Sequence, residues 1–213
     1  MPHEPLRVTF HLDGTGVVWY PSEPMHLDGV LAYSALARIG QLTDLAAADE
    51  PIDAALPLAR CGSGDSWYWS ASVLLPEGPI AESMQMARRR LNTERAELVA
   101  DKTINMEVAA TKTQNRPWLL QLSTSLVGYC AGELTAVQDL CKDIRWLGAE
   151  RGRGKGRVTS VIVESFPHDR SVTWDGMAMR YLPAARGIRR VRPRPPYWHP
   201  AGAVQCLSPG ETL

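Results

Sequence analysis

Several large classes of protein leave marks that this chain lacks. It has two phenylalanines and four cysteines in 213 residues. Cys61, Cys130, Cys141 and Cys206 are far apart, with no Cys-x-x-Cys pair. That spacing gives no support to a zinc ribbon or a disulfide framework, and the four read as free thiols in a reducing cytoplasm. No stretch approaches the ~20 apolar residues needed to span a bilayer. The opening MPHEPLRVTFHLDG has no basic segment followed by an apolar run, as a secretory signal would. Internal repeats and heptad arrays are absent. Net charge is absent too, since 23 basic residues balance 23 acidic ones.

That balance conceals a dipole. Lys142 to Arg194 holds 13 cations and 5 acids, a net of +8, which leaves 10 cations and 18 acids elsewhere, a net of −8. A basic C-terminal third on an acidic body implies one face for a polyanion and another for a different partner. With 45% hydrophobic residues, the chain has apolar material for one core with additions.

The hydrophobic pattern predicts strands at Leu6–Leu12, Ser66–Leu75, Trp118–Tyr129 and Arg157–Ser165. Helices are predicted over His26–Gly40, with Asp28 as N-cap, and over Glu133–Leu147, with a Thr135/Gln138 capping box. The order is β-α-β, an insertion over residues 76–117, then β-α-β. Within the insertion, SMQMARRRLNTERAELV reads as helical. The expected fold is α+β, a ferredoxin-like (RRM-like) antiparallel sheet with a thumb-like insertion. The core is expected over 1–166, with a basic, irregular Pro/Arg-rich extension over 167–213.

Four glycines lie in Gly148–Gly156, and Arg151, Arg153, Lys155 and Arg157 alternate with Gly152, Gly154 and Gly156. An NTPase phosphate loop needs a strand before it, a helix after it, and Ser or Thr after Gly-Lys. Here Gly156 follows Lys155, and the flanks are reversed, helix before and strand after. A dinucleotide fingerprint fails on the same ground. A flexible linker would not sit between the best helix and one of the best strands. What the composition allows is close backbone approach, amides able to form an anion nest, and cations for phosphates. That suits a nucleic-acid backbone held by shape and charge.

At this point the chain resembles a known family. LGAERGRGKGRV is similar to the glycine-rich loop of the RAMP proteins of CRISPR-Cas systems, and PSEPMHLDGVLAYSAL is similar to their first-helix segment. MRYLP and RPPYWHP further resemble the Cas-five-like subunit of type IV systems. The resemblance implies the RAMP form of the ferredoxin-like fold. It also implies a cytoplasmic, cofactor-free subunit that binds guide RNA (crRNA), caps its five-prime handle and acts in plasmid and phage interference. Implied partners are backbone and large effector subunits, with target DNA and a recruited helicase as further candidates; no membrane is involved.

The RNA-binding set on this reading is Arg145, Gly148, Arg151, Gly152, Arg153, Gly154, Lys155, Gly156 and Arg157. Further nucleic-acid or subunit contacts are assigned to Lys102, Lys112, Arg116, Arg186, Arg189, Arg190, Arg192, Arg194 and Trp198. Arg186–Arg194 carries five arginines in nine residues; it reads either as a solvated tail or as an arm following a backbone. Trp67, Tyr68 and Trp69 read as strand-core aromatics that would stack bases only if exposed. No metal site is expected. Catalysis is not expected either; a metal-independent endoribonuclease using His26 and Tyr33 is the alternative. A general RNA-binding protein with an RRM-like fold is another, although WLLQLSTSL lacks the third-strand aromatic pattern of such domains.

Overall fold

The computed structural model describes residues 3–19, 23–42, 50–89, 114–149 and 151–213. β1 (Glu4–Leu12) forms as its period-two pattern requires: Leu6, Val8, Phe10 and Leu12 all point into the core. β2 (Val17–Trp19) follows after a turn, and α1 (Leu27–Arg38) comes next. The hairpin β3 (Arg60–Cys61) and β4 (Tyr68–Trp69) precedes β5 (Leu75–Glu77). β6 (Ala81–Arg89) and β7 (Gln114–Leu122) pair antiparallel along their length, after which β8 (Ser125–Gly132), α2 (Leu134–Cys141) and β9 (Val158–Ser165) complete the centre.

The central sheet runs β5-β8-β1-β9, and its described pairings are antiparallel. Phe10 lies opposite Leu126 on one side and Val161 on the other, which fixes the register of the three long strands. Leu27, Leu31 and Leu36 of α1 share one core with Val137 and Cys141 of α2 and with the inward residues of β1. Each such fully enclosed aliphatic side chain contributes about 1.5–3 kcal/mol. The two helices are also tied to each other. Ser34 Oγ donates to the Leu140 carbonyl at 2.9 Å, and Arg38 bridges Asp139 and Asp143.

Neither helix uses the cap its sequence offered. His26 occupies the N-cap of α1 without a side-chain bond, and the Leu27 amide donates instead to the Ser72 carbonyl. Glu133 occupies the N-cap of α2, again without a side-chain bond, and Gln138 Nε2 reaches the Val163 carbonyl. α2 ends at Cys141, earlier than its apolar stripe, yet Ile144 and Leu147 stay buried as the chain runs on irregularly.

Two predicted strands are divided differently. Trp118–Tyr129 is broken at Ser123–Thr124: β7 belongs to a separate sheet of order β2-β7-β6, and β8 to the central sheet. Ser66–Leu75 contributes only β4 and the start of β5. Its middle is irregular but stitched on three sides, with Ser72, Val73 and Leu74 amides donating to Tyr129, Met179 and Met25 carbonyls. In the insertion, Ser83–Arg89 is strand rather than helix, pairing from Ala81 opposite Leu122 to Arg89 opposite Gln114. Lys102 and Lys112 lie outside the described residues.

The C-terminal extension is built, not irregular. β10 (Thr173–Trp174) pairs with β11 (Met177–Ala178). β12 (Leu182–Pro183), β13 (Arg189–Val191) and β14 (Val204–Leu207) form a sheet of order β12-β14-β13. All four cysteines are free. Among the described residues, no helix is long and apolar enough to cross a membrane, and no three His, Cys, Asp or Glu side chains are placed to hold a metal.

Candidate nucleic-acid interface

The glycine-rich segment is a closed turn. Trp146 bridges Arg157, the Leu147 amide donates to Gly156 O at 2.8 Å, and the Val158 amide to Arg145 O at 2.9 Å. A second set of bonds fastens it to β2 and to the β1–β2 connection: Ala149 N–H to Val18 O and Gly156 N–H to Gly16 O, both 2.8 Å. Thr15 Oγ1 donates to Gly154 O, and Lys155 Nζ donates to Thr15 O, both at 3.0 Å. Asp13 braces Thr15 by accepting from its amide and hydroxyl. Those two bonds, with Arg157 nearby, hold its carboxyl below the usual range. A segment so bonded is not a loose linker.

Its glycines divide by role. Gly148 and Gly156 have φ of +77° and +70°, and a Cβ on either would overlap the Val18 or Leu147 carbonyl oxygen. Both serve the turn's own closure. The expected anion nest is corrected, because the Gly154 amide is bonded to Arg151 O and the Gly156 amide to Gly16 O. Gly154 needs its φ of +76° but has open space around it. Gly152 has neither constraint, so nothing in the fold requires glycine there. The cations are outward: Arg151 and Arg153, in one 3-10 turn, and Arg157 are exposed, while Lys155 is half-buried and tied to Thr15.

Beside the turn runs a groove of about 920 Å3, walled by α1, residues 143–149, Arg151 and the C-terminal extension. It gathers candidates from distant parts of the sequence: His26, Tyr33, Arg145, Gly148, Arg151, Arg189 and Trp198. The Arg151 guanidinium lies over the Tyr33 ring, 5.2 Å from its centroid. Trp146, Tyr181 and Tyr197 complete the aromatic lining. The Trp67–Trp69 segment is elsewhere and committed internally: Trp69 is buried, Trp67 meets it edge-on, and Arg60 covers Trp67 at 3.7 Å.

The groove's far wall is held by a buried polar knot. Arg180 donates to Asp28 Oδ2 at 3.3 Å, to the carbonyls of Ala71 and Pro193 at 2.9 and 2.5 Å, and to that of Trp69. Tyr197 Oη donates to Asp28 Oδ1 at 2.7 Å. Asp28 is therefore an anchor for the extension and not the helix cap. Burial pushes its carboxyl above the ordinary range, against the pull of Arg180 and Tyr197. The Arg180 signal was present in sequence only as part of MRYLP, whose role nothing local discloses.

Two other arginines leave the contact list. Arg192, fully buried, binds Asp53 and the Pro195 carbonyl, both at 2.5 Å. Arg194 binds Asp53 and the Asp65 carbonyl and lies 4.4 Å over Trp67. An enclosed cation must be paired, and these are paired inside the protein. Arg186 and Arg190 are exposed but also bond to the Thr212 and Ala203 carbonyls. Arg116 stands in β7 opposite Ala87.

His26 is enclosed. Its ring stacks on Tyr197 at 4.2 Å, tilts against Tyr181 at 4.8 Å, and has no hydrogen-bond partner at either nitrogen. Burial, and then Arg180, hold its pKa well below the ordinary value. Tyr33, seven residues along α1, is half exposed at 50%.

Residues 4–125 match the family model of the CRISPR type IV associated protein Csf3. The matched span runs from β1 to the first residue of β8, so it includes α1 and precedes the glycine-rich turn. No curated protein matches the chain.

Proposed function

The chain belongs to the Csf3 family of CRISPR type IV associated proteins, the Cas5-like subunits of those systems, and from that premise we propose that it is a non-catalytic guide-RNA-binding subunit of the effector complex, capping the five-prime handle. The observation that carries this reading is the fixed cationic turn, on which Arg151, Arg153 and Arg157 are exposed and Arg151 also lines an aromatic groove. Guanidinium groups fixed on a bonded backbone neutralise phosphates without first losing the freedom of a disordered loop.

The architecture supports the RAMP assignment. β1-α1-β5 and β8-α2-β9 arranged as β5-β8-β1-β9 is the strand order of a ferredoxin-like sheet. The paired strands β6 and β7 take the place of the thumb. Guide pairing then reads the target, while the protein holds backbone geometry. Backbone and large subunits, target DNA and a recruited helicase complete the complex, in the cytoplasm and in plasmid and phage defence. The non-catalytic part rests on His26, since a general base must come within hydrogen-bond reach of the proton it takes. Here Tyr181 and Tyr197 cover its ring.

Purification from cells expressing the whole locus tests this. The expected result is co-elution with partner subunits and one defined short RNA. Recovery of the protein alone and free of RNA overturns it. So does cleavage of repeat RNA in EDTA that His26→Ala abolishes.

A further inference from the structure

The walls of the groove are better suited to a flat ring than to a sugar-phosphate chain alone. Trp198 is 62% exposed, the most of any tryptophan whose side chain is described, and Tyr33 is 50% exposed. Exposed aromatic rings facing one concavity mark a binding site more readily than scattered surface residues do. Trp198 is also placed, not dangling: it follows Tyr197, whose hydroxyl is locked on Asp28 and whose ring stacks on His26.

Charge narrows the ligand further. Arg145, Arg151 and Arg189 line the groove against Glu23 and Asp143, and Asp143 is already bound by Arg38. Arg151 belongs to both the cationic turn and the groove wall, so a polyanion following the turn is delivered to the aromatic rings. Aromatic faces and arginines are the groups that bind an unstacked base of a single strand.

We propose that this groove holds an unstacked nucleobase of single-stranded RNA, stacked on Trp198 and Tyr33, with Arg151 and Arg189 on the flanking phosphates. The proposal rests on the RNA-binding reading above and adds base contact to a mode otherwise governed by backbone shape. Recognition is then not purely electrostatic: part of the affinity follows the base.

The test uses the full-length chain and two fluorescein-labelled probes, hexa-adenylate RNA and the same ribose-phosphate hexamer with every base removed. Anisotropy titration at fixed salt gives both affinities. The intact probe is expected to bind about fivefold or more tighter, the effect of one stacked base. Trp198→Ala and Tyr33→Ala each remove about that factor for hexa-adenylate and leave the abasic probe unchanged, while Trp198→Phe retains most of it. Thermal unfolding of each variant at the wild-type midpoint shows that the groove, not the fold, was altered. Equal binding of both probes, with no effect of Trp198→Ala, overturns the base site and leaves the RNA-binding reading standing. No binding of either probe overturns both.

Discussion

Arg180 and Asp28 meet with Nη2 3.3 Å from Oδ2 and with both side chains wholly enclosed. One comes from the C-terminal extension and the other from the first turn of α1, so this pair joins the extension to the core. Removing one member leaves an unpaired buried charge, at a cost of about 3–5 kcal/mol. Arg180→Met or Asp28→Asn should each lower stability by that order in urea unfolding. The double variant should be less destabilised than the sum of the two, because the second change removes a charge already orphaned. Additive losses would show that the two do not act as a pair.

His26 makes stability depend on pH with a defined sign. Burial and Arg180 hold its folded pKa well below 6.5, whereas the unfolded chain titrates near that ordinary value. The stabilisation is fully present above pH 6.5. Below it the unfolded chain gains a proton that the folded protein refuses, and stability falls by up to about 1.4 kcal/mol per pH unit. His26→Phe keeps a ring between Tyr181 and Tyr197 and should flatten the curve between pH 6.5 and 5 relative to wild type. Unfolding free energies at four pH values for both proteins decide it, and parallel curves would contradict the assignment.

Gly152 and Gly156 should separate binding from folding. Gly156→Ala forces a side chain into a φ of +70° and against the Leu147 carbonyl; the backbone strain alone is about 1–3 kcal/mol. Gly152→Ala meets no atom within 4 Å and needs no unusual φ. It should leave the melting temperature unchanged and weaken RNA binding severalfold if RNA lies against the turn. Thermal melts paired with anisotropy titrations give both readings. Unchanged RNA affinity in Gly152→Ala would remove the close backbone approach.

What sequence could disclose followed local pattern. β1, α1 and β9 were legible because strict alternation or a 3.6-residue stripe has one structural meaning over that length. Trp118–Tyr129 misled because Ser123 and Thr124 break the chain without glycine or proline, and Ser123 Oγ makes the turn by bonding Ser125. α2 was drawn too long because Ile144 and Leu147 remain buried after the helix has ended. The basic extension was the deepest ambiguity. Charge count treats Arg180, Arg192 and Arg194 like Arg189, but the first three have carboxylates waiting at Asp28 and Asp53, more than 130 positions away. The cationic turn was visible as composition. Its fastening to Thr15, Gly16 and Val18, and the groove beside it, exist only once β1 and β2 are folded.

The salt dependence of RNA binding tests the central claim most directly, with wild type compared against the Arg145→Gln/Arg151→Gln/Arg157→Gln variant on a single-stranded RNA of defined length. Each neutralised phosphate contributes about 0.7 to the slope of log affinity against log salt, so the wild type should fall with a slope of roughly −3 and the variant should be shallower by about 2. Identical slopes for the two proteins would place the RNA on another surface and contradict the account.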